Sequence, residues 1–164
     1  METTAIKVAV RHLVGYAFQS GDLGHPAFAS RDRLAEGSQG HRLLQNRRPH
    51  GYQTEVPVSL SVEEGKLVLE ISGRIDGLLK RDNVVLVEEI KTTYVRLDEQ
   101  QPENVLHWAQ AKVYAHIVAT QTSLDSIDVQ LTYLHMETWQ TQEDRQRFRA
   151  VELREFFSDL VSHY

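Results

Sequence analysis

Apolar positions recur along this chain with two different periods, and the changes of period divide it into elements. In residues 4–18, Ile6, Ala9, Val10, Leu13 and Ala17 follow helical spacing and predict an opening helix. Gly21, Gly24 and Pro26 then break the chain. A second helix is predicted over residues 27–47, ending ahead of Pro49, with Gly37 and Gly40 inside it. Each such glycine costs roughly 1 kcal/mol relative to alanine and marks a break or a close backbone approach. From Gln53 the period falls to two. Val56, Val58, Leu60 and Val62 alternate as a half-buried strand requires, and Glu63-Glu64-Gly65 makes a turn. Leu67, Leu69 and Ile71 open a second strand reaching about Asp76, and a loop is expected over residues 77–83. Residues 84–91 begin with four apolar residues in a row, as buried strands do. A helix over residues 103–119 carries Leu106, Val113 and Ile117 on one side, with Pro102 and Glu103 at its start. Ile127, Val129, Leu131 and Tyr133 alternate again. A last helix is predicted from near Thr141, with Val151, Phe156, Phe157, Leu160 and Tyr164 as its apolar stripe.

Three adjacent strands with short turns imply antiparallel hairpins. A strand reached through a helix joins in parallel by a crossover. The expected fold is an α/β sandwich: a mixed four-stranded sheet in the order α-β-β-β-α-β, with extra N- and C-terminal helices. A length of 164 residues suits one domain over residues 1–164.

Composition narrows the function classes. The apolar share of 41% and charged share of 25% are those of an ordinary soluble protein. No apolar run approaches the ~20 residues needed to span a bilayer. Met-Glu-Thr-Thr lacks the basic start of a secretory leader, so the expected location is cytoplasmic, away from membranes. The absence of cysteine excludes a disulfide framework, a thiolate zinc site and a Cys-ligated iron–sulfur cluster. A net charge of −5 argues against tight, non-specific DNA binding by the chain alone. Yet Arg31, Arg33, Arg42, Arg47 and Arg48 face only Asp32 and Glu36 in their stretch, which makes a local basic surface.

The candidate chemistry sits at strand ends. On the strand Val85-Leu86-Val87-Glu88-Glu89-Ile90-Lys91, alternation puts Val85, Val87, Glu89 and Lys91 on one face. The preceding strand ends Ile71-Ser72-Gly73-Arg74-Ile75-Asp76, so a hairpin would bring Asp76 to the same place. Two carboxylates with open positions suit Mg²⁺ or Mn²⁺, which prefer carboxylate, carbonyl and water oxygens. A lysine beside them can orient or deprotonate water, or stabilise charge growing on phosphorus. Phosphodiester hydrolysis uses such a set. Alone, Glu89-Ile90-Lys91 would more often be a surface ion pair, and Asp76-Gly77 a turn.

The combination is more specific. Gly73-Arg74-Ile75-Asp76, then Glu89-Ile90-Lys91-Thr92-Thr93, then Gln110-Ala111-Lys112-Val113-Tyr114, preceded by Gly40-His41-Arg42, resembles the motif series of the RecB-type branch of PD-(D/E)XK nucleases. The resemblance covers about residues 27–135 and implies a restriction-endonuclease-like core. It implies that Asp76, Glu89, His41 and the Ile90 carbonyl bind the metal, that Asp76, Glu89 and Lys91 are catalytic, and that Gln110 and Tyr114 hold the substrate strand. The other reading of Gln110 and Tyr114, one turn apart on one helix face, is support of the sheet. Glu55 lies near an acidic position of some relatives, but reads more simply as an exposed strand residue. Among the eight histidines, His41 alone lies on the helix directly before the three hairpin strands, sharing a face with Leu34 and Gly37.

The resemblance further implies a DNA substrate, single-stranded or a strand end, a role in DNA repair or processing, and a fused or associated helicase. Branch members with an iron–sulfur staple need four cysteines, so no cluster is expected here. Two other classes compete: a catalytically silent nuclease-fold module that binds nucleic acid or scaffolds a helicase, and a hydrolase of another phosphodiester. A binding module has no use for a lysine beside two acids, so the nuclease reading is preferred.

Overall fold

The computed structural model describes residues 2–18 and 31–164, with side chains from residue 36 onward in the second stretch. The breaker residues Gly21, Gly24 and Pro26, and Leu34 on the face assigned to His41, fall outside the described backbone or side chains. The described elements are β1 (Thr4–Ala9), α1 (Val10–Ala17), α2 (Arg31–Asn46), β2 (Gln53–Glu64), β3 (Leu67–Arg81), β4 (Val84–Thr93), α3 (Asn104–Gln121), β5 (Ser126–His135), β6 (Thr141–Arg149) and α4 (Ala150–Ser162).

The mixed α/β architecture is as expected, but the sheet has six strands rather than four, in the order β1-β3-β4-β5-β6 with β2 also on β3. β2, β3 and β4 pair antiparallel, and β5 joins β4 in parallel after α3. The core unites Ile71, Ile75 and Val87 of the sheet with Leu13 of α1, Ile117 of α3, and Leu153 and Phe157 of α4. A separate cluster joins Leu44 of α2 to Ile90, Leu134 and Met136. Layers of helix thus cover both faces of the sheet.

Three expectations need correction. Residues 4–9 are a strand, not the start of a helix: β1 runs parallel to Leu67–Ser72 and buries Val8. Ile6 and Val8 fit either period when read with Val10 and Leu13, and the distant partner strand decides. The expected loop over residues 77–83 is mostly β3, which continues to Arg81. Only Asp82 and Asn83 turn, both with positive φ (48° and 66°), as a two-residue hairpin loop demands. Finally, residues 141–149 are β6, antiparallel to β5, and the last helix starts only at Ala150. β6 is almost wholly exposed and polar, so it has no apolar alternation to read. Arg145 and Arg147 reach from it to Asp128 at 2.7 Å each, and its charges suit a sheet edge.

The long β3 creates the opening in which the candidate residues meet. β1 occupies one flank of β3 as far as Ser72, and β4 takes the same flank from Gly77 onward. Residues 73–76 lie between the two, unpaired on that side.

Candidate metal and nuclease site

The gap in β3 is built from a glycine and a tyrosine. A Cβ on Gly73 would lie 2.5 Å from the Tyr114 hydroxyl and 2.8 Å from its ring, so only glycine leaves room for that side chain. Tyr114 is buried, and its hydroxyl hydrogen-bonds the backbone of Arg74, occupying a ladder group that neither β1 nor β4 reaches. Burial, then the charges of Glu89 and Asp76, push its phenol well above the usual range. Gly73 and Tyr114, far apart in sequence, are therefore two halves of one fitting.

Just beyond this notch the alternation of β3 breaks. Leu69, Ile71 and Ile75 are buried, and then Asp76 and Leu78 are. Opposite Asp76 on β2, Glu55 has a left-handed φ of 51° and drops out of the ladder between Thr54 and Val56. The β3–β4 ladder also stops at Gly77–Glu88, so Asp76 faces Glu89 with no backbone bond between them. The Asp76 side chain substitutes for the lost ladder: its Oδ2 accepts the Ile90 amide at 2.7 Å. Its other oxygen, Oδ1, lies 3.5 Å from His41 Nδ1.

α2 delivers His41 from the other layer. A Cβ on Gly40 would approach Leu134 at 2.9 Å and Thr92 at 3.1 Å, and one on Gly37 would meet Thr92 at 3.3 Å. The two glycines mark the close approach that the sequence suggested. One turn after His41, Gln45 donates from Nε2 to the Asp76 carbonyl at 2.8 Å and to Glu55 Oε1 at 3.1 Å. His41, Glu55 and Asp76 each offer a ligand atom within 4.8 Å of the others. Glu55, read from sequence as an ordinary exposed strand residue, is exposed but belongs to this cluster. Beyond the acidic position of some relatives, its signal lay in standing opposite Asp76 where the β2–β3 ladder is interrupted, which no local pattern reveals.

On β4, Glu89 and Lys91 share a face, with Lys91 Nζ 3.2 Å from Glu89 Oε1. Glu89 is 6% exposed, and its second oxygen, Oε2, is buried with no hydrogen-bond partner among the described residues. Burial, then the charge of Asp76, raises the Glu89 carboxyl above its ordinary value, against the pull of Lys91 and His41. For His41, burial alone would lower the pKa, but the hydrogen bond and charge of Asp76 outweigh it and the imidazole is raised. Excess negative character is thus gathered with too few protons or donors to satisfy it. Carboxylate oxygens with one imidazole and no thiolate fit a hard or borderline divalent cation.

Asp76, Glu89, Lys91 and His41 all line one cleft of about 1600 Å³, together with Gln110, Tyr114, Arg11, Arg42 and Arg74. The Ile90 amide is tied to the cleft wall by its bond to Asp76. The side chains of His41, Asp76, Glu89, Lys91, Gln110 and Tyr114, the site residues expected from the sequence, therefore all line this cleft. Tyr114, however, is more a part of the wall than of the opening.

The chain belongs to the PD-(D/E)XK nuclease superfamily, whose family model matches residues 3–163. That superfamily comprises metal-dependent nucleases. A structure titled "Crystal structure of SSO0001" is similar at 18% identity and a TM-score of 0.58, covering 99% of this chain and 77% of that one, a likeness of fold. No curated protein matches the sequence. No helix among the described residues is long and apolar enough to cross a membrane.

Proposed function

We propose that this protein is a Mg²⁺- or Mn²⁺-dependent deoxyribonuclease of the RecB-type branch, with Asp76, Glu89 and Lys91 as its catalytic residues. The observation that carries the reading is Glu89: a carboxylate oxygen buried without a donor, opposite Asp76 and beside Lys91. Leaving such a group unsatisfied costs on the order of 1–3 kcal/mol or more, a cost that a ligand in the site would relieve.

His41, Asp76, Glu89 and the Ile90 carbonyl would hold the cation, with Glu55 as a further carboxylate on the β2 side. When bound, the cation supplies Lewis acidity towards the phosphoryl oxygen and lowers the pKa of water. Lys91 places an ammonium where charge accumulates on the phosphoryl oxygens as water attacks phosphorus and the bond to the leaving strand oxygen breaks. Arg11, Arg42 and Arg74 give the cleft positive charge for a DNA backbone, despite the acidic balance of the whole chain. Gln110 lines the cleft on the face of α3 nearest the site and would touch the strand. Tyr114 would act on the strand chiefly by holding the β3 gap open.

The order of the motifs supports a place in DNA repair or processing, with a helicase fused or associated to supply a single strand. A cleft with a single reacting centre suits one strand or a strand end.

Incubation with end-labelled single- and double-stranded DNA tests the proposal. Cleavage is expected with Mg²⁺ or Mn²⁺, is lost on adding chelator, and is not restored by Ca²⁺ alone, which takes more ligands at longer distances. Lys91→Ala should lose cleavage and keep Mn²⁺ binding in calorimetry. Cleavage in excess chelator, or a wild-type rate in Lys91→Ala, would overturn it.

A further inference from the structure

One polar group of the cleft has no task in this scheme. His107, on α3, lines the cleft with Lys91, Glu103 and Gln110, and its side chain is only 16% exposed. Its Nδ1 is 2.7 Å from the hydroxyl of Tyr133 on β5. The same hydroxyl accepts the Asn104 amide nitrogen at 3.1 Å.

With the Asn104 amide nitrogen facing the hydroxyl, these contacts set where the protons sit. The Asn104 amide nitrogen can only donate, so it takes a lone pair of the Tyr133 oxygen. The single phenolic proton then has His107 Nδ1 as its acceptor. Were Nδ1 the donor instead, the Tyr133 oxygen would receive two protons and its own would be left without a described acceptor. With Nδ1 accepting, the ring proton resides on Nε2. That nitrogen lies 4.0 Å from Glu103 Oε2, beyond hydrogen-bond range, at the edge of the cleft. The charged and titratable groups facing the ring are Lys91 from β4, Tyr133 from β5 and Glu103 ahead of α3. Burial, then the charge of Lys91, pushes His107 down to about 3, so the ring stays neutral.

We propose that His107 is a substrate contact, a neutral Nε2–H donor to a phosphate oxygen of the nucleic-acid strand seated beside Lys91, its tautomer set by Asn104 and Tyr133. This rests on the nuclease reading. An ammonium and an uncharged N–H lining one cleft match a phosphodiester: the first supplies charge, and the second supplies direction without further cationic repulsion. Glu103, 57% exposed, is free to turn to water when an anion enters.

The test compares His107→Asn with His107→Gln in the intact chain, by steady-state cleavage of a short single-stranded oligonucleotide with Mn²⁺. Asn keeps a group at the level of Nδ1 to meet Tyr133 and loses the outer donor. Gln places an amide N–H at the level of Nε2. The Asn variant is expected to lose roughly 10- to 100-fold in kcat/KM, as for a hydrogen bond to a charged group. Gln should recover most of that loss, and the ratio of wild type to Asn should stay level from roughly pH 5.5 to 8. A purely structural histidine predicts the reverse order, with Asn tolerated and Gln not. That order, an unchanged kcat/KM in Asn, or a ratio that climbs as pH falls through the ordinary imidazole range overturns the proposal. Should Asn fail to fold, Tyr133→Phe serves, since it frees the tautomer without touching the cleft. A partial loss there supports the contact, and none overturns it. A wild type that cleaves normally while the variants are unaffected removes this contact alone, whereas a wild type that cleaves no nucleic acid removes the nuclease reading with it.

Discussion

Glu88 and Glu89 are neighbours on one strand, both buried, and the sheet treats them in opposite ways. Glu88, on the α2 side, is 0% exposed and surrounded by donors. Arg48 Nε reaches it at 2.9 Å, the Tyr52 hydroxyl at 2.7 Å and Gln130 Nε2 at 2.8 Å, with Arg48 Nη2 and the Thr132 hydroxyl closing the ring. Glu89, on the α3 side, has Lys91 at one oxygen and no partner among the described residues at the other. A buried acid whose every lone pair is met locks the loop after α2 to the sheet, and with it the helix that carries His41. A buried acid left short of donors is held ready for something the chain itself does not contain. Burial alone therefore does not distinguish a structural acid from a reactive one, but the accounting of donors does.

The largest effect expected from this contrast is a split between rate and stability. Glu89→Gln should lower cleavage at least ~100-fold, in line with loss of a charge that acts in the transition state, while its thermal midpoint stays level or rises because an unsatisfied buried charge has gone. Glu88→Gln should do the opposite, keeping most activity in the folded fraction while losing on the order of 3 kcal/mol. In a protein of this size that is a drop of roughly 10 °C. Parallel melting curves and cleavage rates read both. If Glu88→Gln is the variant without activity at an unchanged midpoint, the faces of β4 are assigned the wrong way round.

The face of Glu89 was legible from the sequence because period-two alternation is local. Val85 and Val87 mark the face, and Glu89 and Lys91 follow on it, although β4 is buried on both sides. The crossover from β4 to β5 was legible for the same reason, as a helix between two alternating runs. What stayed hidden depends on partners far along the chain. β1 is a strand because Leu67–Ser72 pairs with it, and β6 is a strand because β5 presents an edge, while its own residues, polar on both faces, carry no period. The break of alternation at Asp76 is of this kind too. It comes from two ladders ending at the same place, and the sequence suggested instead that the strand itself stopped there. Glu55 was discounted on the same ground, since its nearness to Asp76 is a fact of pairing and not of spacing. The Glu88 network likewise collects donors from β5 and from the loop between α2 and β2, neither of which marks itself locally.

A smaller effect tests whether the wall of the reactive side is as exacting as the Glu88 network. Gly73→Ala pushes a methyl group into the Tyr114 hydroxyl and ring. Overpacking of that sort costs up to about 3 kcal/mol, and here the shift moves the strand that carries Asp76. Activity should fall by more than stability alone explains, and Gly73→Ala combined with Tyr114→Leu should regain midpoint but not rate. Full recovery of both would make the notch mere packing.

Below that comes the cation itself. His41→Ala should weaken Mn²⁺ binding on the order of tenfold, ~1.4 kcal/mol, and Mg²⁺ binding by less, because imidazole nitrogen is the softer donor. Glu55→Gln should weaken both ions alike, since a carboxylate does not favour one. Calorimetry on the folded variants separates the two. Equal losses for the two ions in His41→Ala would return that histidine to a supporting part beside Asp76.

The smallest effect is an acid slope that Glu89 conceals. The Glu89 carboxyl is raised in the fold, so in metal-free protein the folded state holds its proton more tightly than the unfolded chain. Its contribution grows as pH falls and is lost as pH rises through the folded value. Two histidines run the other way. His107 is pushed down to about 3 by burial and by Lys91, and His116, stacked on Phe157 with ring centres 4.4 Å apart, is lowered by burial and by Arg154. For each, the unfolded chain takes up a proton at ordinary imidazole values that the fold refuses. Their stabilisation is therefore complete above about pH 6.5 and drains away as pH drops towards the folded value. In the wild type the two trends offset each other. In Glu89→Gln the opposing trend is reduced to that of His41, whose imidazole Asp76 raises, so the midpoint should fall more steeply on acidification than in the wild type. By about pH 5.5 His107 alone should account for about 1 kcal/mol of that fall. Adding His107→Asn to Glu89→Gln should flatten the slope by that amount, and the same substitution in the wild-type background should leave a midpoint that rises relative to wild type as pH falls. A slope in Glu89→Gln that His107→Asn leaves untouched would mean the ring is already charged in the fold, and that Lys91 and burial do not hold it neutral.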